Sequence, residues 1–223
     1  MSDILVTTLQ VGKEAQEYGK YSDRINCEYC ERYGYDWCVE TSLIDNTKHP
    51  YWNKILHIRA CMDPSLSYDY VLFIDADACF TNYTIPVDKF VDEMERKDKL
   101  FTLTFQNKTL TGLNSGVMLF RCCVGSMKFL DTVMDSYYEF RNTSCPEQVA
   151  IEACINTPEF KEDVLRVSCR DLNAFHGDFC YRQTHIRHCM WEKGDFIMHC
   201  PRCSTEYRVQ EFNKVLSGEY LVR

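Results

Sequence analysis

Apolar runs of four to six residues alternate along this chain with longer segments in which apolar side chains recur at the helical period. Short, fully apolar runs are strands buried on both faces, and a helix between two of them returns the chain to lie parallel to its predecessor. The alternation predicts an α/β fold: a central, mostly parallel sheet flanked by helices. Strands are expected at Asp3–Thr8, Trp37–Thr41, Tyr70–Ile74, Leu100–Phe105, Gly116–Phe120 and Val164–Val167. Helices are expected at Glu14–Tyr33, closed by Gly34, and at Tyr51–Met62, Val87–Lys97, Ser126–Phe140, Pro146–Ile155 and Thr205–Leu216. Between Ser168 and Cys203 the pattern weakens, and loops are expected there.

With 223 residues, 45% of them hydrophobic, and no linker or repeat, one domain over residues 1–223 is the expectation. A chain of this length buries roughly 70% of its unfolded surface. The net charge of −8 gives no reason to expect nucleic acid or an anionic membrane as partner, so an anionic ligand would need a local cation or a metal. Fourteen cysteines would mean a disulfide framework in a small secreted protein. The start, Met1-Ser-Asp-Ile-Leu-Val, shows no export signal, and no run approaches the ~18 apolar residues of a membrane span. A soluble, reduced, cytoplasmic protein is therefore expected, with the sequons at Asn82, Asn107 and Asn142 unused. Oligomeric state is not legible.

The most informative local feature is Tyr70-Val-Leu-Phe-Ile-Asp75-Ala-Asp77. Ligands of open α/β sheets collect beyond the carboxyl ends of such strands. On an extended backbone, side chains at i and i+2 point the same way, so Asp75 and Asp77 would hold one hard divalent cation with positions left for phosphate oxygens. The same pattern serves haloacid-dehalogenase-type phosphatases, in which the first Asp is the nucleophile, although the position they fill with Thr or Val is Cys79 here. Cys27-x-x-Cys30 and Cys200-x-x-Cys203 suggest a zinc-binding module as a further alternative, but about 170 residues separate the pairs where a zinc ribbon has about 15–20.

Further segments fit together in order. They are Asn26-x-x-Tyr29-x-x-x-Tyr33-Gly34-Tyr35-Asp36, Trp52-x-Lys54-x-x-x-Ile58-Arg59, Asn114-Ser115-Gly116-x-x-Leu119-x-Arg121, Glu147-Gln148 and Gly194-Asp195-x-x-x-His199. With the Asp-x-Asp, this series resembles the galactosyl/mannosyl/xylosyltransferase family of GT-A glycosyltransferases over about residues 20 to 200. The chain differs in carrying Tyr33 for a family His and Cys-Pro-Arg-Cys after His199, and in being short and without an anchor. In that form it is similar to relatives encoded by large DNA viruses that glycosylate capsid protein.

The resemblance implies a GT-A, Rossmann-like single domain, with a nucleotide-sugar part over about 1–120 and an acceptor-side part over about 121–223. It implies a retaining, metal-dependent transfer of sugar from a UDP-sugar to a glycan or glycoprotein. Mn2+, or Mg2+, would be held by Asp75, Asp77 and His199, a mixed oxygen and imidazole set that Mn2+ accepts. The donor would meet Thr7, Thr8 and Leu9 at the end of the first strand, with Tyr18, Tyr21 and Asn26 as further contacts. Lys54 and Arg59 would lie near the diphosphate and the Asp75-Ala76-Asp77 segment, and Asn114 and Ser115 beside the sugar. Glu147 would bind the donor sugar and Gln148 would face the reaction centre, with Asp77 at the leaving group.

Overall fold

The computed structural model describes residues 2–106, 112–177 and 184–223. In chain order its elements are β1 (Ile4–Leu9), α1 (Lys13–Tyr33), β2 (Asp36–Glu40), α2 (Pro50–Cys61), β3 (Tyr70–Ile74), β4 (Ala78–Phe80), α3 (Asp88–Arg96), β5 (Phe101–Phe105) and β6 (Leu113–Arg121). There follow α4 (Val124–Asp135), α5 (Tyr137–Phe140), α6 (Pro146–Cys154), β7 (Val164–Ser168), α7 (Cys169–Leu172), β8 (Ala174–Phe175), β9 (Ile197–His199) and α8 (Thr205–Leu216). The expected α/β fold is the observed one.

A six-stranded sheet runs β2-β1-β3-β6-β5-β7, with β6 antiparallel to both neighbours and every other pair parallel. Strand alternation divides the core in two. Ile4, Val6, Leu72, Ile74, Val117 and Leu119 face one layer with α1, α3 and α8, while Leu5, Val71, Phe73, Met118 and Phe120 face the other with α2, α4 and α6. Helices on both faces explain why the central strands read as uninterrupted apolar runs.

Three departures from the sequence pattern have physical causes. The segment expected as loop holds α7, β8 and β9, and β9 pairs with β4 and β8 in a small second sheet. Strands of two and three residues are too short to show a period of two. The helix expected over Ser126–Phe140 is broken at Ser136 into α4 and α5. Finally, β6 begins at Leu113 and its register against β5 shifts between Leu103 and Thr104. That irregularity falls at Asn114-Ser115-Gly116, where it aims the end of the strand into a cleft.

Candidate active site

Strand β3 ends at Ile74, and the backbone then turns rather than continuing extended: the Ala78 N–H donates to the Asp75 carbonyl at 2.9 Å. The turn, not strand alternation, brings the two carboxylates together. Its walls fix it. The Asp75 N–H donates to the Gly116 carbonyl at 2.7 Å, the Cys200 N–H donates to the Asp77 carbonyl at 2.9 Å, and Ser22 Oγ donates to the Ala76 carbonyl at 2.7 Å. Pairing of β4 with β9 carries His199 to the same point.

One ligand atom each from Asp75, Asp77 and His199 lies within 4.8 Å of the others. His199 Nε2 is 3.2 Å from Asp77 Oδ1 and 4.0 Å from Asp75 Oδ2. A hard or borderline divalent ion fits this donor set of carboxylate oxygen and imidazole nitrogen. Close approach of the imidazole depends on Gly116, where an added Cβ would lie 2.4 Å from His199 Cε1.

Two cations hold the carboxylates. Lys54 Nζ lies 2.8 Å from Asp75 Oδ1 and 3.7 Å from Glu147 Oε1, and it donates to the Ser115 carbonyl at 3.2 Å. Arg208 donates from Nη2 to Asp77 Oδ2 at 2.6 Å and from Nε to the Cys200 carbonyl at 3.1 Å, with its guanidinium 4.5 Å from the centre of the Tyr18 ring. Burial raises the Asp75 carboxyl above the usual carboxylate range, against the pull of Lys54. Burial acts the same way on Asp77, but His199 and Arg208 outweigh it and hold that carboxyl below the range. Burial also opposes the Lys54 charge, yet Asp75 and Glu147 keep the ammonium above its ordinary value.

These groups form one side of a cleft of about 680 Å³, a volume suited to a ligand larger than a single sugar. Leu9, Val11, Ala15 and Tyr18 line the cleft together with Lys54, Asp75, Ala76, Asp77 and His199 and with Asn114, Ser115, Glu147 and Gln148. Ser115 Oγ donates to Glu147 Oε1 at 2.9 Å, and the Ser115 N–H donates to Gln148 Oε1 at 3.3 Å. Glu147 is buried, and its second oxygen, Oε2, has no hydrogen-bond partner among the described residues.

Five expected site residues lie elsewhere. The Thr7 hydroxyl is buried against His57 Nε2 at 2.7 Å and the Cys38 carbonyl at 3.1 Å, and Thr8 is buried within the sheet, so of the first-strand candidates Leu9 lines the cleft. Both ends of the Asn26 amide are taken by backbone, Nδ2 donating to the Ala78 carbonyl and Oδ1 accepting from the Phe80 N–H, which makes it a support for β4. Arg59 pairs with Asp131 at 3.0 Å and ties α2 to α4. Tyr21 does not line the cleft either. Conversely, Arg208 was not expected. A cation in the first turns of a helix opposes the macrodipole, and that misplacement was its one signal. Among the described residues no second cluster of three or more metal-ligating groups exists, and Cys30 lies on the buried face of α1, packed in the core, so the zinc-module alternative has no support. The sequon at Asn107 lies outside the described residues; Asn82 is buried and donates to the Gly194 carbonyl at 2.6 Å.

A profile of the galactosyl transferase GMA12/MNN10 family matches residues 3–109 and 88–210. Galactomannan galactosyltransferase 1 of Cyamopsis tetragonoloba is 31% identical over 106 residues, which are 47% of this chain and 24% of that protein. Xyloglucan 6-xylosyltransferase 4 of Arabidopsis thaliana is 27% identical over 106 residues, 47% of this chain and 21% of that one. The chain thus spans about a quarter of the length of these curated relatives. Among solved structures, a glycosyltransferase involved in the glycosylation of the major capsid of PBCV-1 superposes with a TM-score of 0.75 at 18% identity, over 95% of this chain and 98% of that one. Mouse xyloside xylosyltransferase 1 does so with a TM-score of 0.54 at 10% identity, over 91% and 99%. Both share the GT-A fold.

Proposed function

The chain belongs to the galactosyl transferase GMA12/MNN10 family, and from that premise we propose that it transfers a sugar from a UDP-sugar to a glycan or glycoprotein acceptor with retention of configuration. The observation that carries this reading is the convergence of Asp75, Asp77 and His199 in a cleft that also holds Lys54 and Arg208. Breaking the bond between sugar and diphosphate develops negative charge on the leaving group, and fixed positive charge aimed at that charge lowers the barrier. A divalent ion, Mn2+ or Mg2+, bound by Asp75, Asp77 and His199 would supply Lewis-acid stabilisation of the diphosphate.

The chain's own groups divide the remaining work. Lys54 and Arg208 offset the charge of Asp75 and Asp77, and both cations border the cleft. Leu9, Val11 and Tyr18 offer the apolar and aromatic wall for the nucleoside. Glu147 Oε2 is an unused acceptor for a donor-sugar hydroxyl, with Asn114 and Ser115 beside it. Gln148 faces the reaction centre as a neutral amide, which favours attack from the face of the departing diphosphate over a double displacement. In this reading residues 1–120 contribute most of the nucleotide side, and residues 121–223 add Glu147, Gln148, His199 and Arg208 to it as well as the acceptor side. The phosphatase alternative has no observation in its favour.

The test is incubation of the protein with a panel of UDP-sugars and Mn2+, following UDP release and the anomeric proton of any product by NMR. Release of UDP from one sugar, with an axial donor giving an axial product, is the expected result. Release from none of them, or an inverted product, contradicts the proposal.

A further inference from the structure

Asn173 lies between α7 and β8, is fully buried and does not line the cleft. Its Oδ1 is 2.9 Å from His199 Nδ1, and its Nδ2 is 2.7 Å from Asn114 Oδ1 and 3.2 Å from Thr104 Oγ1. The direction of every bond in this network can be read from its ends. The Gly116 N–H, which can only donate, reaches Asn114 Oδ1 at 3.0 Å, so that atom is the amide oxygen. The Thr104 hydroxyl donates its single proton to the Asn114 carbonyl at 2.8 Å, so toward Asn173 it can only accept. Both neighbours therefore demand a donor, which makes the atom of Asn173 that faces them its NH2. The other end of Asn173 is then an oxygen, and toward it His199 must present Nδ1–H.

From this we infer that Asn173 is a positioning residue for the metal centre: by accepting from Nδ1–H it orients the His199 ring so that Nε2 faces Asp75 and Asp77. The inference rests on the proposed metal-dependent function. Partners of this kind orient a ligating imidazole, and their loss commonly costs about 10–100-fold in metal affinity. Asn114 gains a second role, holding the relay as well as bordering the sugar.

The inference is tested by measuring free Mn2+ by electron paramagnetic resonance during titration of wild-type protein and of Asn173→Leu and Asn173→Asp. Leucine keeps the volume without an acceptor; aspartate keeps an oxygen toward Nδ1. Expected are a roughly 10–100-fold weaker dissociation constant in Asn173→Leu and a smaller loss in Asn173→Asp. Equal affinity in wild type and Asn173→Leu, or equal losses in both variants, overturns the inference. If wild-type protein binds no Mn2+, the proposed function itself fails instead. Should the variants not fold, nitrogen-15 NMR of wild-type protein with Mg2+ bound decides: a proton on His199 Nδ1 is expected, and one on Nε2 overturns the assignment.

Discussion

Lys54 is buried between two carboxylates, Glu147, which is buried with it, and Asp75, which is half-buried at the cleft. Removing one partner of a buried ion pair leaves charge without compensation and costs about 3–5 kcal/mol. Lys54→Met should therefore lower stability by that amount in denaturant titration, whereas Arg59→Met, which breaks an exposed pair, should cost less than about 1 kcal/mol. Gly116 is a second decisive residue. Because its added Cβ would meet His199 Cε1 at 2.4 Å and Nδ1 at 2.8 Å, Gly116→Ala should displace the imidazole and weaken Mn2+ binding about tenfold or more, with the circular dichroism spectrum unchanged. Asp75, Asp77, Lys54 and His199 were legible from the sequence because each sits in a segment of recognisable order. Asn173 and Arg208 were not: their roles depend on contacts with residues 26 and 131 positions away, and a single Asn or Arg carries no local period.

Among the elements, the apolar strands and long helices were readable because burial on one or both faces imposes a period. The second sheet was not, since β4, β8 and β9 are held by pairing with each other rather than by their own pattern. The attachment of α2 to the main sheet leads to a pH dependence. Burial lowers the pKa of His57 from its ordinary 6.5, against an opposing effect of Glu40, and its Nε2 meets the Thr7 hydroxyl. The unfolded chain gains a proton at this residue as pH falls through 6.5, while the folded chain gains it only at lower pH. More protons on the unfolded state mean that stability falls as pH falls. The melting temperature should thus drop between pH 7.5 and 5.5, and by less in His57→Gln; an equal drop in both assigns the effect to other groups.

For the whole molecule, the cysteines are thiols in the described residues, most of them buried. Burial pushes Cys61 and Cys122 up to about 12 and Cys154 up to about 11, far from the thiolate range at neutral pH. Ellman titration of native protein should find rapid reaction at exposed Cys38, slower reaction at half-buried positions such as Cys27, and release of buried thiols such as Cys30, Cys79 and Cys200 only on denaturation. The α/β layering was readable from alternation; the cleft was not, because it is assembled from β1, α2, the β3–β4 turn, β6, α6 and α8 together. In the proposed function the carboxylates and His199 bind UDP through a divalent ion. Calorimetry of UDP binding with and without Mn2+, in wild-type protein and in Asp75→Asn/Asp77→Asn, tests this most directly. Wild-type protein is expected to bind UDP only with Mn2+ and the double variant not at all; UDP binding that is equal without metal and in the double variant contradicts the proposed function.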